Sequence, residues 1–314
     1  MSRKQRDLLF NLARIVISAG LLFWVIRSAG LDQIVGVARN AQPGWIVAAF
    51  ALSALGIIVR AYRWQILLNA VSARPPFGRL VYLYFVGQLF SSFLPTGFAG
   101  DAVRVLEAGE DVERAKVAGT VIVDRLSGFI GLFALALVAL PFAGVQIPAA
   151  LAWGVGAASF GVVAGAVLLF EGRLLRFVTR PLPRALSLDS DGFVGRTYRA
   201  ITDCGGRAVV GALIVSTVFN LIQFAANYFM ALALGLDVTI GELVLYIPIA
   251  TVALLIPISV SGLGVREQIY VLLFNRFTAA QATALSFSAY SLDLFNGLIG
   301  GVLYLARGVI GLRK

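Results

Sequence analysis

Leu94-Pro95-Thr96-Gly97-Phe98-Ala99-Gly100-Asp101-Ala102-Val103-Arg104 is the stretch on which the fold turns, because the chain writes it a second time. The second copy reads Ile-Pro-Ile-Ser-Val-Ser-Gly-Leu-Gly-Val-Arg-Glu from Ile256 to Glu267. Both fit apolar-Pro-x4-Gly-x3-Arg, so that Pro95, Gly100 and Arg104 match Pro257, Gly262 and Arg266, 162 residues apart. Proline removes a backbone donor and clashes with the preceding turn, and glycine admits positive φ. An apolar helix that meets such a cluster is expected to stop, turn and restart near the arginine. Pro95, Gly97, Gly100, Pro257, Gly262 and Gly264 are the breaking residues. Inside a bilayer, broken backbone persists only where protein buries it or a wet cavity receives it.

Working outward, the composition is that of a membrane protein. Of 314 residues, 59% are hydrophobic and 13% charged, against ~45–50% apolar in soluble domains. The mean hydropathy is +0.89, and apolar runs of about 20 residues, enough to cross the hydrocarbon, recur along the chain. The absence of histidine excludes His-ligated metals and Ser-His or Cys-His catalysis. Cys204, the lone cysteine, excludes an internal disulfide. The net charge of +10 sits in loops on one side, which fits the positive-inside rule and anionic lipid rather than nucleic acid.

Taken in order, residues 1–42 begin with Arg3, Lys4 and Arg6 before the apolar run Leu8–Ile26. That run is longer than a signal peptide's core of about 7–15 residues, so a retained first span with a cytoplasmic N-terminus is expected. Leu31, Ile34, Val35 and Ala38 share one face of a short interfacial helix. A second span covers Trp45 to about Leu68 and carries Arg60, Arg63 and Trp64 at its basic end. Val81–Leu94 is the first arm of the broken element. The arm that follows, about Gly100 to Ala115, is too charged to cross lipid.

Lys116–Pro141 and Ala149–Phe170 are full spans, and the loop Glu171–Arg207 holds seven arginines, which places it in the cytoplasm. That side is reached only if the first broken element enters and leaves from the cytoplasm. Ala208–Leu236 then spans outward, Leu243–Ile256 and Gly264–Phe277 form the second broken element, and Ala279–Leu305 returns to Arg307, Arg313 and Lys314. The expected fold is an all-α polytopic membrane protein with six full spans and two re-entrant broken hairpins in an inverted repeat. Within one membrane domain, residues 43–141 form repeat 1, 149–207 a linking span and Arg-rich loop, and 208–306 repeat 2. A shift of 162 carries the first unit of span, broken hairpin and span onto the second. Inverted repeats with discontinuous helices are the plan of secondary transporters.

Charges inside apolar spans are costly and usually face a bundle interior. The candidates are Arg60, Arg63, Arg104, Asp124, Arg125, Arg266, Glu267 and Asp293. In one reading they form internal pairs that tie the hairpins to the bundle. In the other, Arg104 and Arg266 stand near helix N-termini and bind a phosphate. Arg60 and Arg63 fit positive-inside anchors with Trp64 in the interfacial belt, or collectors of a headgroup. Asp124 and Asp293 attract an amine-bearing headgroup or neutralise the arginines. Asn220, Gln223 and Asn227 lay a polar stripe along the fifth span, suited to helix packing more than to a substrate path.

At these residues the sequence resembles the transmembrane region of the lysylphosphatidylglycerol synthases, a flippase-like domain that also occurs alone. Arg60-Ala-Tyr-Arg63-Trp64, Phe93 through Arg104, Val123-Asp-Arg125-Leu and Pro257 through Glu267 carry the resemblance in the family's order. It implies a lipid-translocating membrane domain, best known for moving aminoacylated phosphatidylglycerol between leaflets. The two-domain synthases carry a soluble transferase-like domain after the membrane part, whereas this sequence stops at Lys314, so aminoacyl transfer is not expected.

The expected function is movement of a phospholipid, with aminoacylated phosphatidylglycerol or a related anionic lipid as candidates, between the leaflets of the cell membrane, with the phosphate held by arginines at the broken helices and without covalent chemistry, metal or cofactor. Both termini would be cytoplasmic. Membrane phospholipids are the expected partners, with a separate lipid synthase and a second copy of the chain as further candidates and no nucleic acid. Two alternatives stay open. A membrane transferase would act on a polyprenyl or glycolipid substrate with Asp101, Asp124, Glu267 and Asp293 as acid–base or metal oxygens. An accessory subunit would recruit a synthase.

Overall fold

The computed structural model describes residues 20, 22–24, 26–93, 98–109, 112–142, 149–179, 188, 190–255, 259 and 262–311. Pro95, Gly97 and Pro257 lie outside the described residues, as do nearly all of the run Leu8–Ile26 and Arg180, Arg184, Arg313 and Lys314. Helices follow one another as α1 (Leu31–Arg39), α2 (Pro43–Ala70), α3 (Phe77–Phe93), α4 (Ala99–Ala108) and α5 (Arg114–Ala139). After a short 3₁₀ turn at Leu140–Phe142 come α6 (Ala149–Glu171), α7 (Arg173–Thr179), α8 (Phe193–Asp203) and α9 (Gly205–Ala233). The chain ends with α10 (Ile240–Leu255), α11 (Val265–Leu273) and α12 (Ala279–Gly311). No strand occurs among the described residues.

Among the described residues, five helices are long and apolar enough to cross a membrane: Pro43–Ala70, Arg114–Ala139, Ala152–Glu171, Gly205–Ala233 and Ala279–Arg307. They coincide with five of the six full spans expected from the sequence, and of the sixth only residues 20, 22–24 and 26 are described. The shorter helices sit where the proline–glycine clusters interrupt the apolar runs. Long helix, two short helices, long helix is a succession that occurs twice, over α2–α5 and α9–α12.

Two compact units emerge from the packing. One comprises Met1–Ala54, Phe85–Gly100 and Gln223–Lys314, and here α12 is the central element. Helix α1 packs on its start through Ile34, which is buried with Ala29, Ala280 and Ala284, while Val37 adds to the same cluster. Leu31 and Val35, on the face expected to lie at the membrane interface, are exposed, and the packing on α12 runs through Ile34 and Val37. A second cluster joins Ala49, Ala226, Met230 and Leu292. Helix α12 also crosses Phe85–Phe93 of α3 at close range. A Cβ built on Gly300 would stand 2.0 Å from the Phe85 carbonyl oxygen, and one built on Gly297 3.2 Å from Ser92 Oγ. Small residues at such a crossing let two backbones touch where larger ones hold them apart.

The other unit comprises Leu55–Tyr84 and Asp101–Ile222. Its core is lined by Trp64, Leu67, Leu68, Leu80 and Leu83 from α2 and α3 and by Val117 and Val121 from α5. Helix α5 packs against α8 and α6. Asp191, Arg196 and Arg199 remain at the outer surface of the α8 region, where Arg199 binds Asp191 and Arg196 binds Glu113.

Candidate functional site

In the unit that holds Asp101–Ile222, charged side chains gather on one buried carboxylate. Asp124 lies on α5, 1% exposed. Arg63 Nε of α2 donates to its Oδ1 at 2.7 Å, and Arg104 Nη2 of α4 donates to its Oδ2 at 3.1 Å. The Tyr84 hydroxyl donates to the same Oδ2. Arg63 reaches on with Nη1 to Ser216 Oγ of α9 at 2.9 Å. Asp101 bridges two guanidinium groups, taking Arg104 Nη1 at 3.2 Å and the further Arg125 Nε at 2.5 Å. Stacking completes the arrangement: Arg104 lies 4.2 Å from the Trp64 ring and 4.0 Å from the Tyr84 ring. Trp64 is fixed by its own N–H, which donates to Thr120 Oγ1 at 3.0 Å.

Arg60, one turn before Arg63, differs from its neighbours. Its guanidinium sits over the rings of Tyr84 and Phe219, at 5.0 and 5.3 Å, and no carboxylate among the described residues pairs with it. Its Nε is buried without an acceptor. Three of the four arginines here therefore share two carboxylates, Asp101 and Asp124.

The other unit contains the second break. Gly262 and Gly264 adopt φ of 76° and 83°, the left-handed region that favours glycine. Helix α11 starts immediately after, at Val265, so Arg266 and Glu267 fall in its first turn. The Glu267 carboxylate turns back and accepts from the Gly264 N–H at 2.6 Å, and Ser286 Oγ of α12 bonds its other oxygen at 3.3 Å. Half of a capping box results, since glycine has no side chain to return the bond. Arg266 Nη1 stands 3.8 Å from Asp293 Oδ2, and its guanidinium lies 4.9 Å from the Tyr290 ring. Asp293, 41% exposed, also accepts from Gln88 at 3.4 Å.

Several expectations change. Trp64 is fully buried, not part of an interfacial belt, and Arg63, 2% exposed, is no snorkelling anchor. Asp124 draws Arg63 inward, and Thr120 holds Trp64. Arg104 does not stand at a helix start: α4 opens at Ala99, so Arg104 sits in the second turn. Only Arg266 has the terminal position expected of both. Of the polar stripe, Asn220 donates to the Gly128 carbonyl at 3.3 Å and Asn227 to the Gln223 carbonyl at 2.8 Å, which are packing bonds. Sequence reasoning passed over Tyr84, the hub beneath three arginines. Its signal was a tyrosine inside an apolar run, four residues before Gln88. Also overlooked was the outer clamp in which Arg276 bonds Glu242 Oε1 and Oε2, both at 2.7 Å, while Glu242 is buried.

Apolar spans, interrupted segments and arginine–carboxylate clusters within them define a multi-pass membrane protein of the all-α class. Compared with known families, the lysylphosphatidylglycerol synthase TM region matches residues 11–298. The chain belongs to that family, a membership consistent with a lipid-related membrane protein. It is 23% identical over 326 residues to a UPF0104 membrane protein of Pyrococcus horikoshii, covering 93% of this chain and 95% of that one. A UPF0104 membrane protein of Methanothermobacter thermautotrophicus is 24% identical, with 91% of each chain covered. For one from Methanocaldococcus jannaschii the similarity is 24% over 115 residues, 36% of this chain and 34% of the relative.

Proposed function

We propose that this protein is a lipid transporter that moves an anionic phospholipid between leaflets, with the headgroup phosphate held by arginines beside the broken elements and the acyl chains left in the bilayer. The observation that carries this reading is the gathering of Arg63, Arg104 and Arg125 on Asp101 and Asp124, with Arg60 beside them, where α4 meets the apolar spans α2 and α5. Ionisable groups at such depth cost ~2.5–3.5 kcal/mol each and are retained for function. Guanidinium groups present a planar fork of donors that matches phosphate. Arg266, at the start of α11 and only loosely held by Asp293, offers a second contact of the same kind.

The family's description makes aminoacylated phosphatidylglycerol, or a related phospholipid, the natural cargo class. The protein acts by binding and release, with no covalent step. The two successions of long, short, short and long helices are oppositely oriented, and one moves against the other to expose the headgroup to each side in turn. The Arg-rich segment 171–207 and both termini face the cytoplasm, in the cell membrane. A separate synthase supplies the lipid.

Reconstitution tests this directly. Vesicles containing purified protein and fluorescent phosphatidylglycerol are expected to show accelerated loss of inner-leaflet label to an external quencher. Arg60→Gln and Arg266→Gln each lower the initial rate at least about tenfold, the scale of one lost charge-assisted bond. Wild-type vesicles no faster than protein-free ones, or variants as fast as wild type, would sink the proposal.

A further inference from the structure

Resting on that transport reading, we infer that Phe219 of α9 is a positioning residue, whose ring holds the Arg60 guanidinium ready for the headgroup phosphate. An arginine can be held by a carboxylate or by a ring, and the two differ in what they leave over. A carboxylate takes the N–H donors themselves, the same groups a phosphate needs. A ring attracts the cation through its π face and consumes no donor. Arg63 and Arg104 are held in the first way. Arg63 spends Nε on Asp124 and Nη1 on Ser216, and Arg104 spends Nη1 and Nη2 on Asp101 and Asp124. Arg60 is held in the second way. Its guanidinium lies over Phe219 at 5.3 Å and over Tyr84 at 5.0 Å. Its Nε has no acceptor, no carboxylate among the described residues pairs with it, and the residue is only part-buried. The rings are therefore what keeps this side chain in place.

Of the two rings, Tyr84 is tied down by its own hydroxyl, which donates to Asp124. Phe219 has no polar handle, and the helices around it set where it lies. One turn before Arg60 on α2 stands Gly56, buried, and a Cβ built there would meet Phe219 Cε2 at 3.3 Å and Cδ2 at 3.5 Å. The glycine lets the ring lie close along α2, beside the side chain that leaves the helix four residues on. Residues flanking the ring on α9 fix its register. Ser216, three positions earlier, accepts from Arg63, and Asn220, the next residue, donates to the Gly128 carbonyl of α5. The Arg63 guanidinium lies 5.9 Å from the same ring, so Phe219 stands beside both arginines of α2. Ordering a long side chain when the ligand arrives costs affinity, and a side chain already held avoids that cost.

The experiment uses the full chain in detergent, with dioleoyl phosphatidylglycerol titrated in and bound lipid counted by native mass spectrometry. Phe219→Leu, which stays apolar but has no ring, is expected to bind the lipid about fivefold more weakly, the scale of a partly desolvated cation–π contact. Phe219→Tyr keeps the ring and is expected to stay within about twofold of the wild type. In an Arg60→Gln background, Phe219→Leu is expected to add less than about twofold, because a positioning residue acts through the group it positions. Wild-type binding by Phe219→Leu would overturn the inference. So would a loss that is as large with Arg60 replaced as with it present. A loss shared by Phe219→Tyr and tracking a lowered melting temperature would make Phe219 a packing residue, which overturns it equally. Vesicles in which the wild type moves phosphatidylglycerol, with binding indifferent to the ring, would remove this inference alone. Ring-dependent binding without movement of lipid would remove the transport reading and leave the positioning role.

Discussion

Arg104 and Arg266 occupy equivalent places in the repeated motif and live in opposite surroundings. Arg104 is 2% exposed, bound to Asp101 and Asp124 and stacked against Trp64 and Tyr84. Arg266 is partly exposed, 3.8 Å from a half-exposed Asp293 and leaning on a single ring. The shift of 162 that carries Arg104 onto Arg266 carries Asp124 onto Ser286. Serine bonds Glu267, not the arginine. Two exchanges, Asp124 for the hydroxyl of Ser286 and Asp101 for Leu263, separate a locked guanidinium from a loosely held one. A repeated motif thus fixes where the chain breaks without fixing what the break does.

The largest effect expected is at the locked end. Asp124→Ala strands Arg63 and Arg104 in the interior and should cost ~3–5 kcal/mol, whereas Asp293→Ala should cost less than ~1 kcal/mol, as exposed pairs do. Thermal unfolding of the purified variants in detergent decides it, and similar losses for the two would erase the contrast. Glycine matters at both breaks for different reasons. At Gly264, φ of 83° excludes a side chain, so alanine should cost ~1–3 kcal/mol in strain. At Gly100 a Cβ would meet the Gly87 carbonyl oxygen at 2.3 Å, so alanine should cost a similar ~1–3 kcal/mol through overpacking. A combined Gly87→Ala, Gly100→Ala variant no worse than Gly100→Ala alone would argue against that close approach.

Glu267→Gln sharpens the difference between the carboxylates. Its partners are a backbone N–H and a hydroxyl, so the change should cost about 1 kcal/mol or less, far below the loss at Asp124. The smallest effect is chemical. Burial, with Asp203 adding to it, pushes the Cys204 thiol up to about 12. At pH 8 the reactive thiolate is scarce, and maleimide labelling should lag far behind that of an exposed cysteine, then rise about tenfold per pH unit. Because the folded form holds this proton more tightly, the stability it confers is present at neutral pH and is lost as pH rises towards 12. Rapid labelling at pH 8 would mean that α8 and α9 do not bury the thiol.

Long apolar runs made the five described spans legible, since length and hydropathy alone decide them. The proline–glycine clusters located the short helices for the same reason: their effect on the backbone is local. Partner choice was not local. Whether Arg63 points to headgroups or to Asp124 depends on residues 61 positions apart, and an arginine beside a tryptophan at the end of a span reads equally well as an anchor. Tyr84 was hidden because the same apolar run also holds Tyr82, and nothing in the sequence marks which of the two meets the arginines. The position of Arg104 within α4 was misjudged because glycine marks a break without marking which residue begins the next helix.

The touching backbones of α12 and α3, at Gly300 and Phe85, limit how that pair can rearrange. Sliding one helix along the other would drive bulkier neighbours into the contact, whereas rocking about the point of touch leaves it intact. A tilt of α12 against α3 would have to turn about that crossing, so that the two ends of α12 would swing in opposite senses.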